Sequence, residues 1–153
     1  MTIGANSSNP GGGALSLGPL STPTLRSTLA AENVGGDCGR AVVSLGNNLD
    51  GDGSCGLDGP GDLSAGDARL GPLALNAGPT ETQILISGSA AIDAGNAAAC
   101  PAVDQRGFAR SLGGACDIGA YEEILPRFPL VEGWNLVGWT GGYRSPSQRH
   151  GTD

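Results

Sequence analysis

Apolar residues in this chain occur in short alternating runs that are broken every few residues by glycine, asparagine or proline. Three such runs lie in the first third of the chain, at residues 15–17, 25–29 and 41–45. Alternate residues of an extended strand point to the same face, so each run can bury one row of apolar side chains. Short strands joined by tight turns predict an all-β fold.

Composition limits what the core can contain. Aromatic residues make up only 4% of the chain, and both tryptophans lie near its end, at Trp134 and Trp139. The core must therefore come from Leu, Ile, Val and Ala, which is unusual for an antiparallel sandwich. The 28 glycines and 10 prolines approach the content of disordered chains. The alternating runs and the four cysteines favour a folded domain instead.

The remaining chain is divided by turn-rich segments. Residues 57–76 are rich in Gly, Asp and Pro and are interpreted as loop with short extended pieces, whereas residues 80–86 predict a strand. A last short strand is predicted at residues 117–122. The spacing of the strands is typical of a solenoid, in which each coil buries its apolar face only against its neighbours.

Charge and hydropathy exclude two classes of function. The net charge is -7, only eight residues are Lys or Arg, and none is lysine, so nucleic-acid binding is excluded. No apolar run has the length of a membrane span, and Met1 leads straight into a polar run without a signal peptide. Four cysteines nevertheless favour an oxidising compartment. We therefore expect an extracellular or cell-surface fragment whose export signal lies upstream.

Residues 36–122 resemble a known family. The run GPLALNAGPTETQILISGSAAIDAGN, followed by CPAVDQRGFAR and CDIGAYE, is similar to the C-terminal region called the choice-of-anchor Q domain. The preceding run GDCGRAVVSLGNNLDGDGSCGL resembles the last coils before that region. The resemblance implies a right-handed parallel β-helix of the pectate-lyase-like type, displayed at a bacterial surface. Residues 11–15 also resemble the repeats of polymorphic outer-membrane proteins.

This resemblance implies a division of the chain. The expected fold is all-β, the last coils of a right-handed parallel β-helix with a disulfide-closed C-terminal cap. Residues 1–57 are assigned to the terminal coils and residues 58–122 to the choice-of-anchor Q-like region and cap, which we expect to cover the C-terminal edge of the coils. Residues 123–132 form a linker, and residues 133–153 hold the start of a small β-module, similar to GWNLVGWTGG, and a polar tail.

The cysteines fall into two local pairs, Cys38 with Cys55 and Cys100 with Cys116. Three connectivities are possible for four cysteines. Local pairing is favoured because each pair brackets a turn-rich loop. The close Cys-x-x-Cys spacing of zinc sites is absent.

Asp50, Asp52 and Ser54 alternate with glycine as the oxygen ligands of a calcium loop do. The loop has Cys55 in place of the glycine at its sixth position and Gly61 in place of the glutamate at its twelfth. A polar turn is therefore favoured, and calcium stays as the alternative. No other cofactor is indicated.

Asp104 and Arg106 flank a tight turn between Cys100 and Cys116. They could act as a general base and as a binding group for a carboxylated sugar. A structural ion pair that fixes the loop is favoured, because basic residues do not cluster nearby in the sequence. The single histidine, His150, lies in the polar tail, and no catalytic triad or phosphate-binding motif is present.

The sequence thus predicts a structural end-piece of a secreted or surface-displayed bacterial β-helix protein, with an adhesive or cell-surface-associated role and no enzymatic activity of its own. Its expected partners are the upstream coils of the same parent protein, with a cell-surface polysaccharide as a further candidate. A non-catalytic fragment of a polysaccharide lyase or glycosidase is the first alternative, although the lack of lysine counts against it. A calcium-stabilised glycan-binding module is the second.

Overall fold

The computed structural model describes residues 1–7, 13–16, 18, 20–110 and 114–124. The predictions for Leu17, most of the linker, the β-module with its tryptophans, and the tail with His150 lie outside these residues. The described part is all-β, as predicted, with a single short 3₁₀ helix at Ala97–Ala99. Its strands are β1 (Thr2–Gly4), β2 (Thr24–Leu25), β3 (Leu29–Ala31), β4 (Val43–Ser44), β5 (Leu49–Asp50), β6 (Leu63–Ser64), β7 (Leu70–Ala74) and β8 (Thr82–Leu85).

Four strands form one parallel sheet in the order β1-β3-β5-β6. Thr2, Leu29, Leu49 and Leu63 stand in one row across this sheet. A second, smaller sheet contains β2 and β4, which are also parallel. The chain therefore passes from the small sheet to the large one twice, from β2 to β3 and from β4 to β5.

Turns of the same kind, each with one left-handed residue, connect the small sheet to the large one in both places. Ser27 lies between β2 and β3 with a φ of 47°, and Asn47 lies between β4 and β5 with a φ of 52°. The Ser27 amide donates to the Gly46 carbonyl at 3.2 Å, so the two turns are hydrogen-bonded to each other. Gly46 has to be glycine, because a Cβ there would lie 2.5 Å from the Pro60 carbonyl oxygen.

The turn at Ser27 corrects one sequence prediction. Leu25 and Leu29 were expected to share a face of one strand, but the left-handed turn divides the run into β2 and β3. Leu25 packs in a small core with Val42 and the Cys38–Cys55 pair, whereas Leu29 belongs to a separate, larger core. The predicted face of residues 41–45 is also wrong, because Val42 is buried while Val43 and Leu45 are half exposed.

The larger core covers one face of the four-stranded sheet. Leu29, Ala31 and Leu49 point to this face and are almost completely buried. The side chains that cover them come from later in the chain, namely Leu70 on β7, Leu85 on β8, Ala91 and Ile118. β7 and β8 pair antiparallel with an irregular register between Leu70 and Leu73, so this hairpin departs from the parallel arrangement.

The residues that follow the Cys100–Cys116 loop reach the first strands of the sheet. The Ala120 amide donates to Thr2 Oγ1 at 2.9 Å, and a Cβ on Gly119 would lie 3.3 Å from Leu29 Cβ. Residues 117–122 form no strand, in contrast to the prediction, because Gly119 has a φ of 110°.

Candidate functional site

Two disulfides join the cysteines in the local pairing that their spacing favours. Cys38–Cys55 is buried in the small core, with both residues at most 5% exposed. Cys100–Cys116 closes the loop that precedes the last described segment. One bond therefore ties neighbouring coil turns together and the other closes the region that covers the sheet.

The predicted calcium loop belongs to a group of three carboxylates. Asp37 joins Asp50 and Asp52, and one oxygen of each lies within 4.8 Å of the other two. Ser54 lies beside them, because its amide and hydroxyl both donate to Asp52 Oδ1. Sequence reasoning missed Asp37, because only the register of the coils brings it next to a loop that follows 13 residues later.

These carboxylates already accept several hydrogen bonds. Asp50 Oδ2 accepts from the Cys55 amide at 2.8 Å, and its Oδ1 accepts from the Gly53 amide at 3.1 Å. Asp37 Oδ2 accepts from the Gly51 amide at 2.8 Å, and Asp52 Oδ2 accepts from the Asp37 amide at 3.1 Å. The group thus fixes one turn against the next. Hydrogen bonds of this kind are what a polar turn at residues 50–54 would make.

The three carboxylates differ in their affinity for protons. Burial raises the pKa of Asp50 to about 6, and the nearby charges of Asp52 and Asp37 act in the same direction. Burial acts on Asp52 too, but hydrogen bonds from the hydroxyl and amide of Ser54 outweigh it and lower the pKa of Asp52. A proton on Asp50 therefore relieves the repulsion between the two carboxylates.

An acidic pocket of about 300 Å³ lies beside this group. Glu32, Asp37, Asp52 and Asp67 line it together with small residues and Asn33. Carboxylate and amide oxygens are the ligands that calcium prefers. The pocket is therefore the place in the described structure where the chemistry of a divalent cation fits best.

Asp104 and Arg106 form a buried ion pair, in agreement with the structural interpretation. Arg106 Nη2 lies 2.7 Å from Asp104 Oδ2, and both side chains are at most 3% exposed. Asp104 Oδ1 also accepts from the amides of Arg106 and Phe108. Burial disfavours its charge, but the hydrogen bonds from Arg106 and from nearby amides outweigh this and lower the pKa of Asp104.

A second buried ion pair lies next to the first and was missed in the sequence. Arg110 Nη1 lies 3.1 Å from Glu122 Oε2, and Arg110 Nη2 donates to the Gly119 carbonyl at 2.7 Å. Glu122 Oε2 also accepts from the Asp117 amide. Burial raises the pKa of the Asp117 carboxyl to about 6. No local sequence signal pairs Arg110 with Glu122, because 12 residues separate them.

A larger pocket of about 400 Å³ opens between the turn before β3 and the disulfide-closed segment. Its charged side chains are Arg26, Arg110 and Asp117. Arg110 is already held by Glu122, and the two Asp117 oxygens accept from the amides of Asp93 and Glu123. The arrangement shows no pairing of a nucleophile with a base.

Comparisons with known proteins returned nothing: no family model, no curated protein and no solved structure matches this chain. Within the described ranges, no helix has the length and apolar character needed to cross a membrane.

Proposed function

We propose that this chain is a structural section of an exported bacterial surface protein, made of the last coils of a right-handed parallel β-helix and a choice-of-anchor Q-like region that covers them. The observation that carries the proposal is the single row of Thr2, Leu29, Leu49 and Leu63 across four parallel strands. The second parallel pair, β2 with β4, supports it, because a coil must contribute to more than one sheet.

The disulfides support a location outside the cytoplasm. Both cysteine pairs lie in disulfide bonds, and such bonds persist mainly in oxidising compartments. A core built mainly from small aliphatic side chains also gains from covalent closure, because each loop of this length adds about 3 kcal/mol in the loop-entropy treatment. The same covalent links would suit a chain displayed at a cell surface.

The role proposed for residues 70–122 is to cover a face of the sheet. Leu29 and Leu49 would be exposed without Leu85, Ala91 and Ile118. Large exposed apolar faces promote association with other molecules. This region would therefore keep the sheet from associating through its face, whereas the sequence alone pointed to the protection of a strand edge.

We propose no turnover by this chain. Asp104, the candidate general base, has a lowered pKa and is held by Arg106 and three backbone amides. A base of this kind is weak at neutral pH, because efficient proton transfer needs a pKa near the working pH. The other buried carboxyls also accept hydrogen bonds from backbone amides, including Asp50 and Asp117, whose pKa values are raised to about 6.

Incubation with a panel of uronic-acid and neutral polysaccharides tests the proposal. The expected result is no new reducing end and no unsaturated product. Asp104→Ala is the informative variant and Asp58→Ala, which removes an exposed carboxylate outside the acidic pocket, is its control. Product from the unchanged chain that is lost in Asp104→Ala at a temperature where this variant is still folded, and kept in Asp58→Ala, would overturn the structural role in favour of a lyase or glycosidase fragment.

The acidic pocket favours one second candidate, a calcium-stabilised module that binds surface glycans. Four carboxylates line that pocket and no basic side chain does. A cation there would connect the turn at Asp37 with the turn at Asp52. Calorimetry with calcium alone, followed by calcium with an acidic polysaccharide, separates this candidate from a purely structural role.

A further inference from the structure

We propose that the outer edge of β1 receives one further parallel coil, and that this coil carries an asparagine in register with Asn6. The inference rests on the proposed function and specifies the chemistry of the partner that the section would stack against. It rests on two asparagines of successive coils, Asn6 and Asn33, that form a hydrogen-bonded row. The side-chain oxygen of Asn33 accepts two hydrogen bonds, whereas that of Asn6 accepts none from the described residues.

Two successive coils end their strands in the same way. Gly4 and Ala31 are register partners at the ends of β1 and β3. The residue that follows each is left-handed, with a φ of 56° at Ala5 and 61° at Glu32. An asparagine comes next in both coils, so Asn6 lies beside Asn33.

Asn33 has partners on both of its sides. Its Nδ2 donates to the Ile3 carbonyl on the preceding coil at 3.0 Å and to the Ala31 carbonyl of its own coil at 3.1 Å. Its Oδ1 accepts from the backbone amide and from Nδ2 of Asn6, both at 3.0 Å. Within its own coil, Nδ2 also donates to Asp37 Oδ1 at 2.8 Å.

Asn6 repeats only half of this pattern. Its Nδ2 donates to the carbonyl two residues earlier, Gly4, at 3.3 Å and to Asn33. Among the residues that the structure describes, nothing donates to Asn6 Oδ1, and the side chain is exposed. The acceptor that receives two hydrogen bonds in Asn33 is therefore open in Asn6.

The strand edge beside Asn6 is open as well. In the described part of the chain, β1 pairs only with β3. The Leu29 amide donates to the Met1 carbonyl, so residues 1 and 3 face β3. Because backbone groups of successive residues point to opposite sides of a strand, the amides of Thr2 and Gly4 face away from the sheet. An unpaired edge of this kind is a template for another strand.

These features determine what the partner must look like. It is a parallel strand followed by a left-handed residue and then by an asparagine, whose amide and Nδ2 would donate to Asn6 Oδ1. Aspartate in its place would bring a carboxylate against an acceptor and would repel it. At the opposite end of the row, Asn33 Nδ2 already donates to the Ile3 and Ala31 carbonyls and to Asp37 Oδ1. The open acceptor of the row is therefore Asn6 Oδ1.

The test adds a coil copied from the chain itself. A copy of residues 2–28, inserted in front of Thr2 of the full chain, keeps the spacing between β1 and β3 and places the copied asparagine beside Asn6. Hydrogen exchange is measured at the amides of Thr2 and Gly4, with the Leu49 amide as a reference for folding. We expect about tenfold slower exchange at the two edge amides than in the chain without the copy.

Three matched versions of the copy distinguish the outcomes. The first is unchanged, the second has the copied asparagine replaced by aspartate, and the third has the copied Ser7 replaced by alanine. The proposal expects protection in the first and third versions and its loss in the second. Equal protection in all three would show that the edge accepts a coil without the asparagine row, which overturns the inference and leaves the proposed function intact. Absence of protection in all three would overturn it too, while the polysaccharide assay alone decides on turnover.

Discussion

The guanidinium carbon of Arg106 lies 3.6 Å from the centre of the Tyr121 ring. Its charge is therefore placed between an aromatic face and the Asp104 carboxylate, with the Phe108 ring 4.7 Å away. Arg106 Nη2 also donates to the Glu122 carbonyl at 2.6 Å. This one side chain connects the loop at residue 104 with the last described segment.

We predict that Asp104→Asn destabilises the protein strongly. The variant leaves the Arg106 charge buried without its counter-ion, which typically costs about 3–5 kcal/mol. Asp67→Asn is the matched control, because the Asp67–Arg69 pair is more than half exposed and solvent screens its charges, so its loss should change stability far less. Urea unfolding of both variants measures the difference. Similar losses of unfolding free energy in the two variants would show that the buried Asp104–Arg106 pair does not stabilise the cap.

A second prediction tests the packing of the cap on the sheet. Gly119 and Gly107 both have positive φ, at 110° and 90°, so alanine should cost about 1 kcal/mol at either position from backbone strain. At Gly119 the new Cβ would also lie 2.7 Å from Thr2 Oγ1, whereas nothing lies within 4 Å at Gly107. Gly119→Ala should therefore lose about 1–3 kcal/mol more than Gly107→Ala in the same unfolding experiment. Equal losses would contradict the contact between the cap and β1.

A third prediction concerns pH. The pKa values of Asp50 and Asp117 are raised to about 6 by burial, above the value near 3.9 of an unfolded aspartate. The folded state therefore binds these protons more tightly, and that stabilisation is complete below about pH 4 and is lost as the pH rises through 6. Asp52 and Asp104 have lowered pKa values, so their contribution is present above about pH 4 and disappears on acidification.

Stability is thus lost both on acidification and as the pH rises through 6, so the highest stability is expected at about pH 5. Deprotonation of Asp50 and of Asp117 should each lower the free energy of unfolding by up to about 2 kcal/mol between pH 5 and pH 8. Thermal unfolding across pH 3–8 checks this. A melting temperature that rises steadily from pH 5 to pH 8 would show that the buried aspartates are ionised without penalty.

The fourth prediction is a small response to calcium. The carboxylates of Asp37, Asp50 and Asp52 already accept hydrogen bonds from backbone amides, and a cation would have to compete with these. A ligand stabilises a fold only as far as its concentration exceeds its dissociation constant. We therefore expect millimolar calcium to change the melting temperature by no more than about 2 °C. A rise of many degrees that is absent in Asp52→Ala and kept in Asp58→Ala would instead support the calcium-stabilised module.

Local patterns were sufficient to predict some features of this structure. The all-β class follows from the short alternating runs, and the strand at residues 82–85 lies inside the predicted range. Spacing favoured one of three possible cysteine pairings, the local one, and both disulfides have it. Asp104 and Arg106 are close enough in sequence for their ion pair to be anticipated.

The missed features all depend on contacts between distant segments. Ser27 gives no local sign that it adopts a left-handed turn, so β2 and β3 were merged into one strand. Asp37 meets Asp50 only through the stacking of coils, and Glu122 meets Arg110 only through the folding of the cap. Such pairings depend on register, which a single sequence does not determine when the coils differ in length.

The hydrogen bond between Thr2 and Ala120 joins residues that are 118 positions apart. A ribosome that adds about 5–20 residues per second needs on the order of ten seconds to make the chain between them. During that interval Leu29 and Leu49 have been synthesised, but Ile118, which completes their packing, has not. Closure of this sheet therefore has to wait for residues near the end of the described chain, and a polypeptide that ends before Ile118 would keep an apolar face without this cover.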